Sequence, residues 1–421
     1  MSDGAIDLAK ELKAKVAAMA LDDINVADSQ LFQSDTLWPY FERLRNEDPV
    51  HLHPAEHHKA GAFWSITRFE DIVAVDTDHE TFSSSPIIVL EDPISDFDLP
   101  MFIAMDPPKH DIQRKTVSPI VSPANLKAME ALIRGRIQTT LDSLPIGTPF
   151  DWVDLVSKEL TSQMLATLFD YPFERRRELT FWSDLISAEP DSPLWTTDDT
   201  ETEFKQRMME CAFAFTQLWN ERVNSEPKGD LISMLAQGEA TKDMTPMEFL
   251  GNVILLIVGG NDTTRNTMSA SVYELNRNPQ ERAKLYANPA LIPSMVSETI
   301  RYQTPLPYMR RTATRDVELH GKTIKKGDKV AMWYVSGNRD ERVIDRPNDY
   351  IIDRPNVRHH VSFGFGIHRC VGNRLAELQL RILWEEIMLR FPEINVISAK
   401  RVKSIFVRGF EHMEVVIPRK L

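Results

Sequence analysis

Phe363-Gly364-Phe365-Gly366-Ile367-His368-Arg369-Cys370-Val371-Gly372 is the stretch on which the fold turns. Cys370 is one of two cysteines in 421 residues, and Cys211 lies far away in a segment of helical pattern. With no Cys-x-x-Cys partner, zinc and thioredoxin-like chemistry fail on ligand count. Leu375, Leu378, Ile382, Leu383, Ile387 and Leu389 recur at helical spacing and predict a helix from about Val371 to about Arg390. Cys370 then stands at a helix N-terminus, where unpaired N–H groups and the helix dipole favour a thiolate. Gly364, Gly366 and Gly372 permit turns and close approach that a Cβ would prevent. An exposed thiolate oxidises, so the expected setting is burial against a metal cofactor.

The rest of the composition is that of a large-cored globular chain, 42% hydrophobic and 26% charged. No Gly/Ser/Pro-rich linker or internal repeat divides it, so one domain is expected. Two distant cysteines suit a reducing compartment, and the first residues contain no apolar run for a signal or anchor. A cytoplasmic protein without a membrane anchor is the expectation. Residues 5–20 have the pattern of a solvated amphipathic helix, with Lys10, Lys13 and Lys15 on its polar side. The longest apolar run, Phe249–Val258, is interrupted by Gly251 and Asn252 and falls well short of the ~20 residues of a spanning helix. A net charge of −13 argues against nucleic acid as a partner.

Local patterns predict a mainly α chain with a small β portion. A short helix is expected at Trp38–Asn46, with strands near Val50–Leu52 and Ala62–Ile66, followed by mainly helical periodicity from about 110 to 290. Strand character returns at Val317–Leu319 and Lys329–Tyr334 around a His320-Gly321 turn, and the chain ends in a hairpin-like tail. Residues 336–369 form a long irregular segment leading into Cys370, which marks it as functional. Thr245-Pro246-Met247-Glu248 is a capping box that opens a helix over 246–276, about 45 Å long. Midway stand Gly259-Gly260-Asn261-Asp262-Thr263-Thr264. Two helical glycines cost about 1 kcal/mol each, so either helix packing or a flat group pressed on the helix must compensate.

These features together resemble the cytochrome P450 superfamily. Phe363, Gly366, His368, Cys370 and Gly372 fall at the positions of its haem-binding signature, and Leu375 and Ala376 continue the match. Further matches follow in the family's order over roughly residues 35–415. The resemblance implies a single P450 domain over 1–421, with 1–34 as an N-terminal extension. It implies a helical part at about 110–300 and β-rich parts at about 35–90 and 314–421. Haem b would lie between the long central helix and the loop 363–372, with Cys370 as the axial thiolate that pushes electron density onto the iron. Thr263 matches the alcohol and Asp262 the acid of the oxygen-activation motif, a pair able to relay protons. Peroxide-using relatives carry a different pair there.

The same resemblance assigns the supporting residues. His110 and Arg114, at i, i+4 on one helix face, match contacts to the haem propionates. His360 and His368 match further ones, and of Arg310-Arg311 the spacing from Glu298 favours Arg311. Phe363 and Gly364 belong to the cofactor-binding loop. Glu298, Arg301 and Arg354 match a buried Glu-Arg-Arg network with a structural role, bracing the cysteine loop.

Within the superfamily, Asn252–Asn266 and Gly372–Glu386 resemble the bacterial class that hydroxylates medium-chain alkanes at the terminal carbon. The expected activity is dioxygen-dependent terminal hydroxylation of an alkane or fatty acid. Expected pocket segments are apolar: Ile87–Leu90, Met101–Ile103, Val258-Gly259, Leu306-Pro307 and the turn around Phe410. Burial of such a guest is worth about 0.8 kcal/mol per CH₂. With no flavin or nicotinamide fingerprint, electrons must come from outside. The resemblance implies an iron–sulfur ferredoxin with its NAD(P)H-dependent reductase, and the basic residues Arg114, Lys115, Arg369 and Arg374 are the expected patch on which an acidic carrier would dock. The alternatives are a terpene or aromatic substrate, or a haem-thiolate sensor that does no oxygenation.

Overall fold

Thr245 starts the longest element. It is extended (φ −63°, ψ 155°), its side-chain oxygen accepts the Glu248 N–H at 3.2 Å, and the helix runs Pro246–Arg277. At 32 residues it is about 48 Å long. The reciprocal half of the capping box is absent: the Glu248 carboxylate instead takes Lys109 Nζ at 2.9 Å and Gln113 Nε2. That exchange ties the start of the central helix to the helix Lys109–Val117. The computed structural model describes residues 3–93 and 96–421.

Around this helix pack Glu159–Phe169, Arg176–Ile186, Thr200–Val223, Ile292–Gln303 and Asn373–Arg390, and the main apolar core lies among them. Several polar groups inside the core pair with one another: Ser157 with Ser269 at 2.8 Å, Thr161 with Asn261 at 2.8 Å, and Trp384 Nε1 with Ser271 at 2.8 Å. Unmade, each of these bonds would cost roughly 1–3 kcal/mol. The β portion is small. Strands β1 (Val50–His53), β2 (Phe63–Ile66), β3 (Phe82–Ser83), β5 (Met309–Ala313) and β8 (Lys329–Met332) form one sheet in the order β1-β2-β8-β5-β3. Its β2–β8 pair is parallel. Strands β4 (Phe150–Asp151), β9 (Asn395–Arg401) and β10 (Phe410–Val416) form a second sheet. Strands β6 (Val317–Leu319) and β7 (Lys322–Ile324) pair through His320 and Gly321, both at positive φ (49° and 72°).

The strand expected over Lys329–Tyr334 stops at Met332, because Trp333 turns inward, donates to Ser65 Oγ at 2.8 Å and opens the short helix Tyr334–Gly337. From there to Phe365 the chain has no regular element of length and is held by side chains. Glu298 is fully buried and accepts both Arg301 Nε and Nη2 at 2.8 Å, Arg354 Nε at 3.2 Å and the Ile351 N–H at 2.8 Å. Arg301 donates onward to the carbonyls of Asn338 and Pro347, and Arg354 to those of Asp345, Arg346 and Asp349. Every lone pair and N–H so used anchors a backbone that has no ladder of its own.

Candidate active site

Asn338 carries that anchorage to the cysteine loop. Its Oδ1 accepts the Val361 N–H at 2.8 Å, and its Nδ2 donates to Ser362 Oγ and Thr304 Oγ1, each at 2.8 Å. Gly364 (φ +66°) and Gly366 (φ +63°) then turn the chain. A Cβ on Gly366 would lie 2.6 Å from the Asp76 carbonyl oxygen, so this position admits only glycine. Gly372 has neither constraint, its φ being −89° with no neighbour in the way, and it serves as the residue before the helix Asn373–Arg390. The Cys370 N–H donates to the Phe363 carbonyl at 2.8 Å, closing the loop.

Cys370 borders a cavity between this loop and the central helix, which encloses about 1480 Å³ with its open mouth included. Burial pushes the thiol up, against the N–H groups of Gly372 and Asn373 and the charges of Arg114 and Arg369. The N–H groups at the helix N-terminus favour the thiolate, as expected, and a bound cation would favour it further. Cys211 is buried in the helix Thr200–Val223, away from this cavity, and burial pushes its thiol well above the ordinary range.

The central helix presents Leu255, Leu256, Gly259, Gly260, Thr263, Thr264 and Thr267 to the cavity, the three-and-four spacing of one helical face. Its two glycines have separate causes. A Cβ on Gly260 would meet Leu165 Cδ2 at 2.8 Å, whereas Gly259 faces open space. Thr263 Oγ1 donates to the Gly259 carbonyl at 3.1 Å and lies on the cavity wall. Asp262 does not: it is buried behind the helix, 2.8 Å from Arg265 and 3.0 Å from Asn261 Nδ2, with its Oδ2 unpartnered. Arg265 in turn pairs with Asp184, and Asp184 with Lys158 at 2.9 Å. Burial raises the Asp262 carboxyl, Arg265 lowers it and Asp184 raises it again.

At the cavity's polar end stand Arg114 and His368. The His368 ring is buried with neither nitrogen partnered, and it lies 4.2 Å from that of His110, whose Nε2 is also unpartnered. Burial, then the charge of Arg311, depresses His368 to about 2. Arg114 hydrogen-bonds the Arg369 carbonyl. His110, His360 and Arg311 are buried and are not on the cavity wall, though the charge of Arg311 acts on His368. His360 is buried against Phe363 (rings 5.5 Å apart), next to Val361, whose N–H is held by Asn338 Oδ1. Arg311 is fully buried and engaged by Asp76 at 2.7 Å. The other Asp76 oxygen takes the Phe365 N–H at 2.7 Å and the Tyr334 hydroxyl at 3.1 Å.

Of the four named pocket residues, Gly259 and Leu306 line the cavity. Val258 does not, being one residue off the inward face of the helix. Phe410 does not either, because it packs in β10 against Tyr273 and Arg401, with its N–H held by Asn266 at 3.0 Å. Phe102 and Ile103 line the cavity, whereas Ile88 and Leu90 are buried in other parts of the core. Asp76, Tyr334 and Asn338 carry much of the geometry yet were not singled out as site residues. The available signal was an Asp at the end of an otherwise apolar helix face, Phe69, Ile72 and Val75.

The Cytochrome P450 family model matches residues 71–418. Cytochrome P450-153 from Novosphingobium aromaticivorans is a solved structure 47% identical, covering 93% of this chain and 98% of its own at a TM-score of 0.86. Linalool 8-monooxygenase of Pseudomonas putida is 33% identical over 90% of this chain and 95% of its own length. Methyl-branched lipid omega-hydroxylase of Mycobacterium tuberculosis is 31% identical over 89% of this chain and 90% of its own. That family works with a haem iron under a cysteine thiolate, and the cavity fits the group. It sets one sulfur opposite a helix face left bare at Gly259, and its polar end holds a cation beside buried imidazole nitrogens that lack partners, both of His368 and Nε2 of His110. The chain belongs to the cytochrome P450 family, a mainly helical monooxygenase that uses dioxygen and a redox partner.

Proposed function

We propose that this P450 hydroxylates the terminal carbon of a slender apolar chain, a medium-chain alkane or fatty acid. One observation carries the reading. Arg114, at the cysteine end, is the only charged side chain lining the cavity among the described residues, and the rest of the wall is apolar apart from threonines and a few neutral polar groups. An alkane is held there by area burial, about 0.8 kcal/mol per CH₂. A long acid would have to leave its carboxylate at the mouth. The 31% identical omega-hydroxylase supports attack at a chain end.

In this reading Cys370 would hold haem b through its thiolate, and the haem would supply dioxygen reduction and C–H oxidation. His110, Arg114 and His368, with Arg311 and His360 behind them, would hold the propionates, Phe363 and Gly364 would border the cofactor, and Glu298, Arg301 and Arg354 fix the loop beneath. Phe102, Leu306 and Met309 exclude water and confine the guest. Thr263 Oγ1, its own hydrogen engaged by the Gly259 carbonyl, accepts and passes a proton at the cavity wall. Asp262 supplies that proton only after its carboxyl turns away from Arg265, so the buried ion cluster controls delivery.

Electrons come from an iron–sulfur ferredoxin and its NAD(P)H-dependent reductase. Lys115, Arg369 and Arg374 are exposed and have no carboxylate partner among the described residues. An acidic carrier fits that face. The test is NADH-driven turnover with reconstituted ferredoxin and reductase on alkanes and acids from hexane to hexadecane length, with products identified. Terminal alcohols support the reading. Oxidation of linalool but of no linear chain would replace it, and no oxygenation of any guest would favour the sensor. Thr263→Ala should keep NADH consumption while product falls and peroxide appears; intact coupling would remove the relay role.

A further inference from the structure

The wall over the cavity hangs from two residues of the central helix that the assigned chemistry does not use. A Cβ on Gly251 would lie 2.2 Å from the Pro100 carbonyl oxygen and 3.0 Å from the Leu99 carbonyl carbon, so backbone meets backbone there. Next to it, Asn252 is fully buried. Its Oδ1 accepts the Phe102 N–H at 2.9 Å, while its Nδ2 is directed to Gln113 Oε1 and Met244 Sδ, each at 3.2 Å. Gln113 is itself bonded to Glu248, which Lys109 pairs at 2.9 Å. Leu99 and Pro100 lead into the short turn Phe102–Ala104, which Phe102 opens, and Phe102 and Ile103 line the cavity. Between Ser83 and Lys109 the chain has no other regular element among the described residues, so this wall has no ladder to hold it.

We propose that Gly251 and Asn252 are positioning residues for specificity. They form a latch that sets how far the Phe102–Ile103 wall projects over the cavity, and hence how narrowly an apolar chain is confined to its terminal carbon. The inference rests on the apolar-chain oxygenase reading for its substrate, but not for its geometry. Neither residue lines the cavity, so both act through the wall. Any side chain at position 251 pushes Leu99–Pro100 outward. Loss of the amide at 252 frees the Phe102 N–H.

The test combines amide hydrogen exchange resolved at Phe102 with two functional readouts on the haem-loaded enzyme. In the native protein the Phe102 amide should exchange more slowly than those of Leu99 and Met101. In Asn252→Ala it should exchange at least about fivefold faster, the factor expected for one lost hydrogen bond of ~1 kcal/mol. In Gly251→Ala the ratio of terminal to subterminal alcohol from octane should fall at least about threefold, well within the ~100-fold that a 1 Å misplacement can impose. The affinity for clotrimazole, a bulky azole read by its Soret shift, should change by a similar factor. The carbon monoxide spectrum of both variants should stay that of a thiolate-ligated haem. Phe102 exchanging as fast as its neighbours in the native protein overturns the latch. So does faster exchange with unaltered azole affinity and product ratio. Should octane prove not to be a substrate, the functional reading fails, while exchange and azole affinity still judge the latch.

Discussion

Asp76 stands where the helix Phe69–Thr77, strand β5, the turn at Tyr334 and the cysteine loop converge. One fully buried carboxylate satisfies Arg311, Tyr334 and the Phe365 N–H together, so its removal strands a charge and two donors. Breaking a buried pair from one side costs about 3–5 kcal/mol. Asp76→Ala should therefore lose about that much stability in urea unfolding and retain less haem after gel filtration, with Asp76→Asn intermediate. A loss below ~1 kcal/mol would show that solvent or another carboxylate takes over the Arg311 charge.

His53 makes a separate residue-scale case, remote from the cysteine loop. It is fully buried, stacked on Phe63 at 4.5 Å, and neither ring nitrogen makes a hydrogen bond of good geometry. Burial, then the neighbouring His51, His57 and His58, depresses it to about 2. The folded protein thus keeps it neutral while the unfolded chain binds a proton below about 6.5. Stability falls as pH drops through that window, by up to ~1.4 kcal/mol per pH unit for this one group. His53→Phe keeps the ring stack and removes the proton uptake, so unfolding free energy between pH 6 and pH 4 should decline less steeply by about one proton. Equal slopes in the two proteins would refute the buried-neutral assignment.

Elements differ in how much of their order is local. The central helix was legible because Thr245 caps it, Pro246 opens it and its apolar positions repeat, all within the segment. Thr245→Ala should cost about 1 kcal/mol. Its two glycines were legible as an anomaly only. Which one answers to packing and which to the cavity depended on Leu165, nearly a hundred residues earlier in the chain. Gly259→Ala should gain up to ~1 kcal/mol in helix stability while narrowing the cavity. A raised thermal midpoint with weaker binding of long guests is the expected pair of readings. The segment 338–365 lies at the other extreme, irregular in pattern and ordered by Glu298, Arg301, Arg354 and Asn338. Glu298→Gln should destabilise by about 3–5 kcal/mol, since two guanidinium groups lose their counter-charge at once.

At the scale of the whole molecule the net charge is −13, so the docking face proposed at Lys115, Arg369 and Arg374 would be a local exception. Lys115→Glu with Arg374→Glu should slow reduction by an acidic ferredoxin several-fold at low salt and flatten its salt dependence, with unchanged reduction by dithionite. An unaltered salt profile would move the docking face elsewhere. No helix among the described residues is long and apolar enough to cross a membrane.

Sequence alone determined the chemistry-bearing loop, the capped central helix and the mainly α architecture, because each is written in contiguous residues whose spacing encodes local geometry. It also pointed to Thr263 and His368 at the cavity. Only the tertiary structure decided that Asp262 turns behind the helix to Arg265, that Arg311 is held by Asp76, that His360 and Phe410 miss the cavity, and that Asn252 grips Phe102. The reason is physical. Whether a buried polar side chain faces a cavity or another charge depends on which partner brings the lower desolvation cost, and that partner lies on a distant part of the chain.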